Sequence, residues 1–183
     1  MTITLTSSAV APALSAVKGV AVAPGTCCWM QPSPLGPLSV TVGPSGVRRV
    51  WFSATGEESG TPDAGVADAF DAYFAGDVAA LDALPVDLDG RSDFSRAVLT
   101  ALRDIGPSRL TSYGELAAAI GRPSAARAVG RAVGANPVPL VIACHRVLAA
   151  AGALGGYSGG LDIKRRLLAH EGWLLEAAGI AST

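Results

Sequence analysis

A cysteine, a histidine and an arginine stand in a row at Cys144, His145 and Arg146. A thiol is a strong nucleophile only as the thiolate, and a reference pKa of about 8.5 leaves it mostly protonated near neutrality. A neighbouring imidazole and a neighbouring guanidinium would both favour the charged form, so the trio has the composition of an activated nucleophile. The chain has two histidines, His145 and His170, and one of them touches a cysteine. A second reading stays open on these residues alone: a buried cysteine is often just a small packed hydrophobe.

The segments around the trio are the ones that must position it. Residues 136–147 read Asn-Pro-Val-Pro-Leu-Val-Ile-Ala-Cys-His-Arg-Val. Leu140, Val141 and Ile142 form an apolar, strand-like run bounded by Pro137 and Pro139. Residues 152–160 are rich in glycine, which lets backbone approach a ligand closely. Residues 161–171 read as a basic helix ending in His170-Glu171, with Gly172 suited to the position just past its end.

Taken together, the run from Asn136 to Val147, the Gly156-Tyr157-Ser158-Gly159-Gly160 loop and the Leu-Leu-x-x-Glu ending at Glu171 resemble the O6-alkylguanine-DNA alkyltransferase family, the methylated-DNA–protein-cysteine methyltransferases. The likeness is strong over about residues 92–173 and extends weakly to a Ser33-Pro34-Leu35-Gly36 hairpin. Ala143 departs from it, since the family usually has proline before the cysteine. The resemblance implies a DNA repair protein that flips O6-alkylguanine, and also O4-alkylthymine, out of duplex DNA and moves the alkyl group irreversibly to Cys144. It implies catalytic roles for Cys144, His145, Glu171, Asn136 and Tyr113. Glu171 would orient His145, His145 would take the thiol proton through a bound water, and Asn136 would brace the turn. Tyr113 and the Ser158 N–H would donate to the base, with Tyr157 beside them, while the Cys144 and Val147 carbonyls would read the exocyclic amine. Arg127 would fill the gap left by the flipped nucleotide. No cofactor and no metal are implied, and the expected partner is double-stranded DNA gripped in its minor groove by a monomer.

Charge distribution points the same way. Residues 1–90 hold 3 Lys/Arg against 9 Asp/Glu, and residues 91–183 hold 11 against 6, so a half carrying −6 is joined to one carrying +5. Only the second suits a polyanion. Three cysteines, Cys27 and Cys28 adjacent, make no disulfide framework, and a reactive thiol suits a reducing cytoplasm. No apolar run reaches the roughly 18 residues needed to cross a bilayer, so no membrane partner is expected.

The expected fold class is α+β: an N-terminal antiparallel sheet with a helix, ribonuclease-H-like, and a C-terminal helical domain with a helix-turn-helix. Residues 1–25 read as a disordered tail, 26–90 as a scaffold domain, 91–175 as the DNA-binding and transfer domain, and 176–183 as a second tail. Apolar runs at 26–31, 38–42 and 47–52, separated by turn chemistry, predict a meander. Asp63 can cap a helix carrying Val66, Phe70, Tyr73 and Phe74 on one face, with Gly76 stopping it. Residues 77–91 read as an acidic linker. Asp93 is the candidate cap of an amphipathic helix with Phe94, Val98, Ala101, Leu102 and Ile105. Ser112 and Glu115 have capping-box spacing. A helix over 125–133 follows the Gly121–Ser124 turn; Arg127 and Arg131 share a face of otherwise small residues, slim enough for a minor groove about 6 Å wide.

Three other functions compete. A damaged-base sensor of the same fold would need no cysteine, and this chain has one. A transcriptional regulator would want polar base-reading side chains on the second helix, which offers almost none. A cysteine hydrolase would turn over repeatedly. Arg146 and His170 read as structural, and Cys27-Cys28 lack further His or Cys before residue 144 to complete a metal site.

Overall fold

The computed structural model describes residues 25–52, 58–107, 109–176 and 179–182. The expected N-terminal tail, Gly25 apart, therefore lies outside the described residues. Strands β1 (Cys27–Gln31), β2 (Leu38–Gly43) and β3 (Gly46–Phe52) form the antiparallel meander in the order β1-β2-β3. Leu38, Val40 and Val42 alternate inward, as a half-buried strand requires. Between β1 and β2, Gly36 N donates to Ser33 O at 3.1 Å and closes the expected tight turn.

Helix α1 (Ala64–Ala75) begins where Asp63 accepts from Val66 N and ends at Gly76 in the left-handed conformation. Its inward face, Val66, Phe70 and Tyr73, covers the sheet. Residues 77–91, expected as a linker, are instead packed. Leu81 and Leu84 are buried, Val47 N donates to Pro85 O (2.8 Å), and Asp87 N donates to Val47 O (2.9 Å). The acidic composition of this stretch hides two leucines at helix-like spacing whose burial ties it down.

Helix α2 (Asp93–Arg103) is capped by Ser92 rather than by Asp93. Ser92 is extended and its hydroxyl accepts from Ser95 N, whereas Asp93 is already helical and sits in the first turn, where its charge suits the helix dipole. A two-residue strand β4 (Thr111–Ser112) leads into α3 (Tyr113–Ala119), whose capping box is complete: Ser112 Oγ accepts from Glu115 N, and Glu115 accepts from Ser112 N. After Gly121, a 3-10 turn at Pro123–Ala125 opens α4 (Ala126–Gly134), giving the helix-turn-helix.

Residues 140–142 do not form a strand. Leu140 has a φ of +76°, and Pro137 and Pro139 remove the amide donors a ladder would need. The segment is held by the Asn136 side chain, which donates to Ile142 O (2.8 Å) and accepts from Val138 N (3.0 Å). Strand β5 (Val147–Leu148) then pairs parallel with β4, and α5 (Leu161–His170) ends at Glu171 and Gly172, the glycine at φ +86°. Residues 176–183, expected as a tail, contain strand β7 (Gly179–Ser182), which pairs antiparallel with β6 (Trp173–Glu176). One apolar cluster runs from Leu38, Val40 and Val50 through Phe70 and Tyr73 to Leu102, Leu116, Ile142 and Leu167.

The close approach of the β2–β3 turn to residues 77–91 has a testable consequence. A Cβ at Gly46 would lie 2.3 Å from Pro85 O at a φ of +124°, whereas one at Gly36 would meet nothing within 4 Å. Gly46→Ala should therefore cost at least about 2 kcal/mol in urea unfolding and Gly36→Ala only about 1. Equal costs would mean that the connector is not seated on the turn.

Candidate active site

Cys144 opens a 3-10 turn, Cys144–Arg146, at the end of the segment braced by Asn136. Its thiol is buried yet lines a cavity of about 210 Å³ with Tyr113, Gly130, Val133, Gly134, Gly156, Tyr157 and Ser158. Helix α4 supplies one wall through Gly130 and Gly134, and the glycine-rich loop supplies the opposite one. Ala143 has a φ of −74°, a value proline adopts, so the departure from the family's usual residue leaves the backbone of the turn as proline would have it.

Electrostatics here differ from the simple expectation of a thiol flanked by two cations. Burial pushes the Cys144 thiol above its ordinary pKa, only partly opposed by the Asn136 side chain and the Lys164 ammonium. Burial likewise lowers the pKa of His145, which is completely enclosed. The resting pair is a thiol and a neutral imidazole. Arg146 faces away: its guanidinium grips Glu171 in two places, Nε to Oε2 at 2.8 Å and Nη2 to Oε1 at 2.9 Å, and donates to Ile105 O at 3.0 Å. It therefore contacts a backbone carbonyl as well, but its main partner is a carboxylate.

Glu171 caps the end of α5 and is buried. Burial opposes its ionisation, but the hydrogen bonds and charges of His145 and Arg146 outweigh that and hold its pKa down to about 2. Its Oε1 lies 2.8 Å from His145 Nε2. A carboxylate can only accept, so Nε2 carries the imidazole proton. His145 Nδ1 is then the free lone pair, and among the described residues it has no hydrogen-bond partner. Asn136, Tyr113, Tyr157 and Ser158 all come to the same place, Asn136 behind the turn and the other three in the cavity wall. Burial raises the Tyr113 pKa, and ionisation of Cys144 would raise it further, so its hydroxyl is a donor at neutral pH. Val147 is buried, and its carbonyl accepts from Lys164. Arg127 is exposed on α4, outside the cavity lining. His170 does not enter the site; its Nε2–H donates to Tyr73 O.

Residues 93–173 match the DNA-binding domain of 6-O-methylguanine DNA methyltransferase. A methylated-DNA–protein-cysteine methyltransferase of Salmonella typhimurium is 49% identical over 117 residues, 64% of this chain and 68% of that protein. The protein of that name from Mycobacterium tuberculosis is 43% identical over 147 residues, 76% of this chain and 88% of the relative. The chain belongs to the methylated-DNA–protein-cysteine methyltransferase family. The crystal structure of Mycobacterium tuberculosis OGT in complex with DNA superimposes with a TM-score of 0.69 at 40% identity, covering 78% of this chain and 90% of that one.

Two residues of this alkyltransferase site escape a reading of the sequence. Lys164 looks like part of a basic surface but is fully buried, its ammonium donating to the carbonyls of Val147 and Leu154, and burial lowers its pKa to about 8. Its place beside Leu167 and Leu168 on the apolar stripe of α5 is the signal that could have found it. Tyr73, on α1, donates to Glu171 Oε1 at 2.9 Å across 98 residues of chain, and no local pattern announces that.

The carboxylate's low pKa sets a pH window. Glu171 stands near 2 when folded and 4.5 as the unperturbed value, so its contribution to stability is fully present above about 4.5 and disappears as pH falls toward 2. Glu171→Gln should lose about 3–5 kcal/mol at pH 7, because Arg146 is left buried without its counter-charge, and should flatten the acid limb of the stability curve. Urea titrations at several pH values read both; a loss under about 1 kcal/mol would contradict the pairing.

Proposed function

We propose that this protein repairs DNA by accepting an alkyl group from O6 of guanine onto Sγ of Cys144, irreversibly and once per molecule. The observation that carries the reading is a single short turn. It sets a thiol in a cavity wall beside an imidazole whose Nε2–H is held by a buried carboxylate and whose Nδ1 has no partner among the described residues.

A buried, protonated thiol needs a base. In the proposed step a water bridges Sγ and Nδ1, and the thiol proton passes through it to His145, with Glu171 stabilising the imidazolium that forms. The Sγ–carbon bond forms as the carbon–O6 bond breaks, and the electron pair stays on the departing base. Tyr113 hydroxyl and Ser158 N–H donate to that developing charge, and Tyr157 packs beside it. The Cys144 and Val147 carbonyls accept from the exocyclic amine; Val147 O keeps one lone pair for this after binding Lys164. Asn136 keeps the turn rigid. O4-alkylthymine is a second substrate of the same chemistry.

The target atom lies inside the duplex, so the base must be flipped, at a cost of a few kcal/mol. The slim face of α4 would enter the minor groove, and Arg127, exposed and one turn from Gly130 and Arg131, would occupy the vacated stack. We assign residues 26–90 to scaffolding and 91–175 to DNA binding and transfer, with the protein acting as a monomer in the cytoplasm. Among the described residues no helix is long and apolar enough to cross a membrane, and a reactive thiol needs a reducing medium. A non-transferring sensor is the weaker reading, because Cys144 faces the cavity.

Titrating a known amount of protein with excess methylated duplex should plateau near one alkyl group per chain, with the added mass confined to the Cys144 peptide and absent in Cys144→Ala. Repeated turnover would favour a hydrolase, and unchanged mass with intact DNA binding a sensor. Arg127→Ala should slow repair of duplex at least about tenfold more than reaction with a free alkylated base, since only the duplex requires extrusion. Equal losses would make Arg127 structural.

A further inference from the structure

The catalytic carboxylate is held by both halves of the chain. Glu171 Oε1 lies within hydrogen-bond distance of three donors: His145 Nε2 at 2.8 Å, Arg146 Nη2 at 2.9 Å and the Tyr73 hydroxyl at 2.9 Å. The first two belong to the turn that carries Cys144. The third comes from α1, in the N-terminal half of the chain.

We infer that Tyr73 is a positioning residue for the transfer: its buried hydroxyl restrains the Glu171 oxygen that holds His145 and shares that oxygen's charge. This rests on His145 acting as the base, as proposed above. A carboxylate oxygen has two in-plane lone pairs, so three donors must share them. Every donor that draws charge from Oε1 weakens the pull of the carboxylate on the imidazole. Tyr73 thereby adds to burial in keeping His145 neutral at rest, with Nδ1 left to take a proton. The hydroxyl is itself a firm donor, because burial and then the Glu171 charge raise its pKa far above the ordinary value.

The ring has a separate job. It packs edge-on against Phe74 at 5.1 Å between centroids and, tilted, against the His170 ring at 5.1 Å, and Tyr73 O accepts from His170 Nε2–H. The other charged groups around the hydroxyl are Arg146 and Asp82, and around His145 they are Glu171, Arg146 and Lys164. None of these changes in Tyr73→Phe, which removes one oxygen and leaves the packing.

Without the hydroxyl more negative charge faces His145, its imidazolium is better stabilised, and its pKa rises. The base is then lost at a higher pH. In Tyr73→Phe the acid limb of Cys144 reactivity should move up by about half a unit or more, which is roughly threefold in rate at pH values below the midpoint. The measurement is modification of Cys144 by a small uncharged thiol reagent across pH, without DNA and resolved by peptide mass so that Cys27 and Cys28 do not interfere. It can therefore fail independently of the repair reading. Single-turnover transfer should show the same displacement, and affinity for undamaged duplex should not change. Phe70→Leu serves as the control for α1 packing: it should lower thermal stability and leave the profile in place. Superimposable profiles for Tyr73→Phe and wild type would overturn the proposal. So would the same displacement in Phe70→Leu, or a Tyr73→Phe chain that no longer folds, since either would make Tyr73 a packing residue only.

Discussion

The carboxylate of Glu171 is an ionised group with no exposed side-chain surface. An isolated buried carboxylate would be severely unfavourable, so the protein must surround it with donors or neutralise it. Here it is surrounded. Arg146 supplies the counter-charge in a two-point grip, His145 and Tyr73 supply one hydrogen bond each, and the carboxyl stays ionised down to a pKa of about 2. These bonds join the end of α5, the Cys144–Arg146 turn and α1. The constraint that makes the carboxylate tolerable is the one that orients the imidazole beside the nucleophile.

The nucleophile depends on a second constraint, the irregular path from Asn136 to Cys144. Two prolines and a leucine at positive φ exclude regular structure there, so the polar backbone must be satisfied some other way. Asn136 does so by acting as donor and acceptor at once; beyond the turn, Lys164 reaches from α5 to bind the carbonyls of Val147 and Leu154. A charged lysine used for this purpose also places positive potential near Cys144, one of the influences that oppose the burial of the thiol. Positioning and electrostatics come from the same side chain.

A protonated thiol beside a neutral imidazole suits a protein that reacts once. A free thiolate in a cavity would be open to oxidants and to stray electrophiles. A thiol that loses its proton only through a positioned base reacts when a substrate is seated. Burial raises the Cys144 pKa and lowers that of His145, which is the starting state the proposed proton transfer needs.

Several features of this architecture are determined locally and were legible as such. The meander follows from alternation at Leu38, Val40 and Val42 between turn residues; α1 follows from Asp63 and Gly76; the start of α3 follows from Ser112 and Glu115. Each interaction spans only a few residues, so residue type and spacing suffice to specify it. Cys144, His145 and Glu171 were singled out through the motifs around them, and the fold brings them to one place. What tertiary structure alone decided is the partnership of groups far apart in the chain. Arg146 pairs with Glu171 instead of flanking the thiol, Lys164 is buried instead of solvated, residues 77–91 pack instead of linking, and Tyr73 reaches Glu171 across 98 residues. Burial and long-range pairing depend on which surfaces meet when the helices close on the sheet. A carboxylate's four lone-pair directions are assigned only when every donor around it is in place.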